Sequence, residues 1–308
     1  MAKFSSRWSG LLLLLSAGLL LAALVTQRNH LRRWWKRGPE PRGTVLHLKF
    51  FSPALGRDAD YWAWLPPGFD ASGRTRYPAL YLLHGMFRDH TAYVNRVDAD
   101  LAAEKLLAAG EIAPLVLVMP EGDSSFYVNW KDDPAGRWED FIVRDLIAEA
   151  DRRFPTRGDR RGRGIGGFSM GGFGAMRLAL LHRERFGSAS SQYGAFQIAA
   201  SDLPYLGGKL KQAFGPDPAA YGAQSPLELI SSTGLQPGEL AVYLDAGEDD
   251  AWALDEQARE FDRQLTTRGI AHVFQIFPGN HTDSYLRERV AEALRFHSRV
   301  FQEKTGLY

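Results

Sequence analysis

The chain of 308 residues contains no cysteine. That excludes disulfides, thiolate metal sites, lipoprotein-type lipidation and a cysteine nucleophile, so covalent chemistry has to rest on another side chain. A charge excess is lacking too: 37 Lys and Arg stand against 36 Asp and Glu, a formal net charge of +1. Such a balance gives no reason to expect nucleic acid as a partner. Beyond the N-terminal segment there is no internal repeat and no low-complexity tract. What is present is a hydrophobic fraction of 45%, ordinary for a globular protein with a substantial core.

The N-terminus differs from the rest. Lys3 and Arg7 precede the 17 uncharged residues Gly10–Thr26, and Arg28, Arg32, Arg33, Lys36 and Arg37 follow them. A basic segment and then an apolar one is the pattern of a secretory signal or a membrane anchor. As a helix the run would reach about 25 Å, slightly short of the ~30 Å hydrocarbon core. No A-x-A cleavage site precedes the basic cluster, which favours an uncleaved single-helix anchor over a secreted or periplasmic product. The larger basic cluster lies on the C-terminal side, which the positive-inside rule would hold in the cytoplasm, so orientation stays open. The expected organisation is an anchor or signal segment with its basic flank over 1–37, a linker over 38–43, and one domain over 44–308.

Within that domain TVLHLKF, DYWAWL and ALYLLHG read as extended runs, and a helix is expected around Asp98–Ala109. LVLVMP is a short continuous apolar run, the mark of a strand buried on both faces. WEDFIVRDLIAEADRRF has helical spacing, with Phe141, Leu146 and Ile147 on one side. Further on, FGAMRLALLHRERF is helical, AVYLDAG extended, LDEQAREFDRQLTTRG helical and HVFQIFPG extended; YLRERVAEALRFHSRVFQEK is the last helix. Early strands followed by alternating strands and helices predict an α/β fold. Its sheet is mostly parallel, with helices on both faces and antiparallel strands at the N-terminal edge. In such sheets ligands gather beyond the carboxyl ends of the strands.

One stretch concentrates glycine. GGFSMGGFG, residues 166–174, contains the G-x-S-x-G pattern of a nucleophile elbow around Ser169, between a weak strand (GRGIGGF) and a strong helix. Neither phosphate-binding spacing, G-x-G-x-x-G or G-x-x-x-x-G-K-[ST], occurs within those nine residues. A serine hydroxyl needs a base. Most of the histidines fall in strand or helix patterns or beside the anchor. His281, in FPGNHTDSY, follows the last strand directly, where a base should sit. The base needs a carboxylate to set its tautomer, and AVYLDAGEDDAW offers Asp249 and Asp250 in a loop, with Asp245 at the strand's end better suited to packing. An oxyanion hole needs two N–H donors. Met170 follows the nucleophile, and the turn after YLLHG offers Met86, with Phe87 as the alternative. His84 beside Gly85 reads as a loop-shaping residue.

With these parts in order, the chain resembles the esterase D, feruloyl esterase and mycolyltransferase-like family of α/β-hydrolases from about Phe51 to Arg295. The resemblance is carried by YWAWLPPGFD, RYPALYLLHGM, VMPEGDSSFYVNW, WEDFIVRDLI, GGFSMGGFGAM and FPGNHTDSYL. It implies an α/β-hydrolase fold and, through the family's G-x-x-D group (Gly247-Glu248-Asp249-Asp250), Asp250 as the triad acid. The family places an acidic residue directly after the base histidine; HTDSY shifts it by one, to Asp283. Within SSFYVNW, Phe126, Tyr127 and Trp130 are either aromatic anchors of a loop or, with Phe87, walls of a substrate pocket.

The expected function is a serine carboxylic-ester hydrolase working through an acyl-enzyme on a small-molecule, glycan or lipid ester. Ser169, Asp250 and His281 form its triad, and the Met86 and Met170 amides its oxyanion hole. No metal and no organic cofactor is implied. The alternatives are acyl transfer to a sugar or lipid alcohol by the same residues, and a non-catalytic hydrolase-fold binding module. The segment Ser201–Pro226 is the expected cap over the pocket.

Overall fold

A computed structural model describes residues 42–199, 203–217 and 219–303, with side chains of 203–205 excepted. The chain divides into two compact units, Met1–Glu40 and Pro41–Tyr308, and the anchor expected over 1–37 lies outside the described residues. Among the described residues no helix is long and apolar enough to cross a membrane.

Pro41–Tyr308 is built on one eight-stranded sheet. Its strands are β1 (Thr44–Ser52), β2 (Arg57–Leu65), β3 (Ala79–Leu83), β4 (Val116–Pro120), β5 (Arg163–Phe168), β6 (Ser188–Gln192), β7 (Ala241–Gly247) and β8 (His272–Phe277). Their spatial order is β1-β2-β4-β3-β5-β6-β7-β8. β1 pairs antiparallel with β2 and β2 antiparallel with β4; every other pairing is parallel. The edge hairpin alternates exposed and half-buried side chains along β1, whereas ALYLL and VLVMP in β3 and β4 are buried throughout. Only strands covered on both faces can carry such unbroken apolar runs at little cost.

The principal helices are α1 (Ala99–Ala108), α2 (Ile147–Arg153), α3 (Met170–Leu181), α4 (Leu203–Phe214), α5 (Pro226–Ser232), α6 (Leu254–Thr267) and α7 (Asp283–Gln302). β5 shows how they cover both faces. A Cβ on Gly164 would lie 2.7 Å from the His297 ring of α7, while one on neighbouring Gly167 would meet the start of α3 at 2.1 Å. Successive strand residues point to opposite faces, so α7 and α3 lie on opposite sides of the sheet. The expected helix over Phe173–Phe186 stops at Leu181, and His182 turns out of helical geometry with its Nε2 2.7 Å from Glu139 Oε1.

β6 has no counterpart in the sequence reading. SASSQ is polar, so no apolar periodicity marks it, yet all five residues are buried. Its serines are satisfied by a histidine from across the fold. His297 Nδ1 lies 2.7 Å from Ser188 Oγ and its Nε2 2.9 Å from Ser190 Oγ, clasping α7 to the middle of the sheet. Hydroxyls can accept from one ring nitrogen and donate to the other, which suits a neutral imidazole.

Burial pushes the His297 pKa down to about 3 from 6.5. The unfolded chain therefore binds a proton that the native chain refuses between about pH 6.5 and 3, and stability contributed above that window is lost as pH falls through it. Between pH 7 and 5 this group alone should remove up to about 2 kcal/mol. Denaturant unfolding of wild type and His297→Gln at those two pH values should show the smaller loss in the variant. Equal losses would remove His297 from the acid sensitivity.

Candidate active site

Ser169 joins the end of β5 to the first turn of α3, with φ 55° and ψ −122°. Such a conformation costs roughly 1–3 kcal/mol for a residue with a side chain. Neighbouring strands hold it in place: the Ser169 N–H donates to Gln192 O at 3.2 Å, and its carbonyl accepts from Phe173 N–H at 3.0 Å. The flanking glycines are dictated by contact. A Cβ at Gly167 would sit 2.1 Å from Gly171 O, and one at Gly171 would sit 2.0 Å from Leu83 O. Alanine at either position would force the helix start away from the sheet and move the serine with it.

The loops after β7 and β8 meet this turn. Ser169 Oγ lies 3.0 Å from His281 Nε2, and His281 Nδ1 lies 3.0 Å from Asp250 Oδ2. The Asp250 side chain is fully shielded from solvent, and its Oδ1 accepts the Trp252 N–H at 2.9 Å. A carboxylate can only accept, so Nδ1 carries the proton and Nε2 is left to accept from the serine hydroxyl. Asp249, the neighbouring candidate, is exposed; its backbone N–H donates to Gly279 O at 3.0 Å. Asn280 ties the two loops together, its Oδ1 accepting from Ala251 N–H at 3.0 Å and His281 N–H at 2.6 Å.

A further residue escaped the sequence reading. Tyr193, just past β6, lays its ring over His281 with centroids 4.0 Å apart, and its hydroxyl donates to Thr282 O at 3.4 Å. Its neighbour in the sheet is Asp245, whose carbonyl accepts the Tyr193 N–H at 2.7 Å. Burial pushes the Asp245 carboxyl up to about 7 although it accepts from Tyr285 Oη at 2.9 Å and Gln192 Nε2 at 3.2 Å. Asp245 therefore packs, as its position at the strand's end predicts. Asp283 also finds a role: it pairs with Arg88 at 3.4 Å and Arg96 at 3.1 Å, joining the histidine loop to the segment after β3. A signal for Tyr193 was out of reach because its contact with His281 spans most of the C-terminal half.

The Met86 and Met170 residues line the same cavity as Ser169. Met170 is the first residue of α3, where a backbone N–H has no intrahelical acceptor. After β3 the turn is closed by Arg88 N–H to Gly85 O at 3.2 Å, which leaves the Met86 N–H outside that bond. His84 is buried beneath this turn, its Nδ1 2.8 Å from Gly85 O. Met170 contributes its side chain as well, since its Sδ accepts the Phe126 N–H at 3.4 Å.

The cavity has a volume of about 760 Å³ and is walled mainly by Met86, Phe126, Ile198, Leu206 and Leu254. Phe87 and Trp252 stand at its mouth, 71% and 57% exposed. Of the four expected pocket residues, Phe87 and Phe126 line it; Tyr127 and Trp130 do not. Tyr127 is fully buried and donates its hydroxyl to His84 O at 3.0 Å, bracing the turn from below. Trp130 packs against Trp138 with centroids 6.2 Å apart. Both aromatics follow the other of the two readings, anchors of a loop, and the backbone turns with positive φ at Phe126 and Tyr127. From the expected cap, α4 supplies Leu206 to the cavity, and Phe214 packs on Phe126 at 5.4 Å.

A mostly parallel sheet with a serine on the sharp turn after its central strand defines the α/β-hydrolase class. More narrowly, the chain belongs to the family described as "Putative esterase", whose model matches residues 52–297. It is 29% identical over 270 residues to an esterase of Mycobacterium tuberculosis, covering 79% of this chain and 56% of that protein. The chain thus spans about half the length of this curated relative. It is also 24% identical over 274 residues to the acetyl esterase of Caldicellulosiruptor saccharolyticus, covering 83% of this chain and 98% of the relative. Among solved structures a ferulic acid esterase superposes with a TM-score of 0.73 at 23% identity, covering 84% of this chain and 99% of that one, a likeness of fold.

Asn280→Ala should leave both loops folded but remove two acceptor bonds, a loss of roughly 1–2 kcal/mol in holding the histidine. The rate at which an organophosphonate probe labels the protein is expected to fall about tenfold with the melting temperature nearly unchanged. An unaltered labelling rate would show that Asn280 does not position His281.

Proposed function

We propose that this protein is a serine carboxylic-ester hydrolase. One observation carries the reading: the unbroken chain Asp250–His281–Ser169, with 3.0 Å at each link, opening on an apolar cavity. Its support also includes membership of an esterase family and the place of Met86 and Met170 beside Ser169 in the cavity wall.

In this reaction Ser169 Oγ attacks the ester carbonyl carbon while its proton passes to His281 Nε2. Negative charge that develops on the carbonyl oxygen is held by the Met86 and Met170 N–H groups, each such donor being worth about 10²–10³ in rate. Asp250 keeps the imidazole in the tautomer that accepts at Nε2 and stabilises the imidazolium that forms. The tetrahedral intermediate collapses, the C–O bond to the alcohol breaks, and His281 hands that alcohol its proton. Water then enters, gives a proton to His281 and attacks the acyl-enzyme; the acid leaves as the proton returns to Ser169. Tyr193 restricts the imidazole to the plane in which both hydrogen bonds survive. The volume and apolar walls favour an acyl group of small to moderate size, and the names of relatives, acetyl esterase and ferulic acid esterase, fit that range.

A panel of nitrophenyl esters of rising chain length tests this reading. Wild type should cleave them with a length optimum, and Ser169→Ala should fall to background. Asp250→Asn should lose on the order of 10⁴ in kcat, as expected when the base is left in the wrong tautomer, whereas Asp249→Asn should stay near wild type. Equal activity in wild type and Ser169→Ala, or inactivity of both across the panel, would falsify the assignment. A large loss in Asp249→Asn with none in Asp250→Asn would reassign the acid.

A further inference from the structure

The edge hairpin carries a second cluster of chemically able side chains, outside the chain of residues just described. His47 and Lys49 on β1 pair with Trp62 and Asp60 on β2, so all four project from one face. His90, from the segment after β3, reaches the same face and stacks on His47 with centroids 5.3 Å apart and planes 22° off parallel. The ligand-type atoms of His47, Asp60 and His90 lie within 4.8 Å of one another, and His47 Nε2 is 2.8 Å from Asp60 Oδ1. We propose that His47, Asp60 and His90 form a binding site for a divalent transition-metal ion, Zn²⁺ above all.

The donor set is the first reason. Two imidazoles and one carboxylate suit Zn²⁺, Ni²⁺ and Cu²⁺ rather than Mg²⁺ or Ca²⁺, which prefer oxygen alone. With metal–ligand distances of about 2.0–2.2 Å, tetrahedral donors stand roughly 3.3 Å apart. Asp60 and His47 already meet that spacing within a few tenths of an ångström. The rest of the closure falls to His47, whose side chain is 57% exposed. A fourth position is left to water, which makes this an open site.

The second reason is the support behind His90. Its Nδ1 donates to Glu121 Oε2 at 2.9 Å, so the nitrogen it offers outward is Nε2. Glu121 Oε1 is itself held by the Gly122 and Asp123 N–H groups at 3.0 and 2.9 Å. A hydrogen-bonded, oriented carboxylate behind a histidine is the arrangement that fixes tautomer and raises basicity in metal-binding imidazoles. The Glu121 N–H also donates to Asp60 O at 3.0 Å, which locks the support to the strand that carries a ligand. A plain surface ion cluster explains Asp60 with His47 and Lys49; it does not explain a half-buried carboxylate aiming His90 at them. Lys49 Nζ, 3.4 Å from Asp60 Oδ2, is the competitor that a metal ion displaces. Because His90 belongs to the segment that begins at Gly85, an occupied site would also restrain the turn bearing Met86.

The experiment uses the untagged full chain, stripped with EDTA and titrated with Zn²⁺ by calorimetry near neutral pH, with Co²⁺ absorption reporting geometry. Wild type should take up one Zn²⁺ and give four-coordinate Co²⁺ bands. The double variant His47→Ala/His90→Ala should lose that site, and Glu121→Gln should weaken binding by about 10–100-fold. Lys49→Ala, an exposed change that leaves the fold alone, should tighten binding several-fold, because it removes a cation from the ligand. No stoichiometric uptake by wild type, or uptake undiminished in the double variant, overturns the proposal; so does a Lys49→Ala variant that binds no more tightly. None of these readings depends on ester cleavage.

Discussion

Everything at the site hangs on the close approach between α3 and the sheet at Ser169. The turn brings Gly171 to within contact of the β3 backbone at Leu83, and only a residue without Cβ fits there. That approach goes with the strained backbone of Ser169, φ 55° and ψ −122°, directly before the first turn of α3. The strain persists because two neighbouring strands share it: β3 and β6 flank β5 through backbone hydrogen bonds, and the Ser169 N–H itself is tied to Gln192 of β6. A looser turn would relax and lose the alignment with His281.

The other parts of the site are arranged so that rigid elements bear short loops. Parallel strands deliver β3, β5, β7 and β8 with their carboxyl ends on one edge, and each contributes one component there: an amide turn, the serine, the aspartate and the histidine. Between the last two, Asn280 replaces what would otherwise be two mobile loops with one hydrogen-bonded unit. Polar groups do much of the holding. His297 joins α7 to β6, Tyr285 and Gln192 satisfy Asp245, and Glu121 gathers His84 and His90. In a buried setting such groups are costly if left unpaired, so each network restricts the ways in which the chain can pack.

The readings that held rest on local patterns. Apolar runs marked β3 and β4, alternation marked the hairpin, and GGFSMGG marked a strand–turn–helix because glycine has few reasons to cluster so densely. Position after a strand made His281 a candidate, and it lies 3.0 Å from Ser169 Oγ. The readings that failed needed knowledge of what lies across the fold. SASSQ looks like a loop until His297, more than a hundred residues later, supplies partners for its serines. Tyr127 and Trp130 could be read as pocket walls or loop anchors until the structure showed the chain turning through two positive-φ residues, with Tyr127 bonded to His84 O.

What the sequence determined by itself is therefore the family and the candidates for its chemistry: with cysteine absent, the elbow serine and the loop histidine proposed as nucleophile and base lie in short stretches whose meaning is carried by neighbours in the chain. Tertiary structure alone decided that Tyr193 covers the imidazole, that Asp283 bridges to Arg88 and Arg96, and that His47, Asp60 and His90 converge on one face. The physical reason is the same in each case. These contacts join residues far apart in the chain, and their distances depend on how strands register and helices pack, which no local pattern encodes.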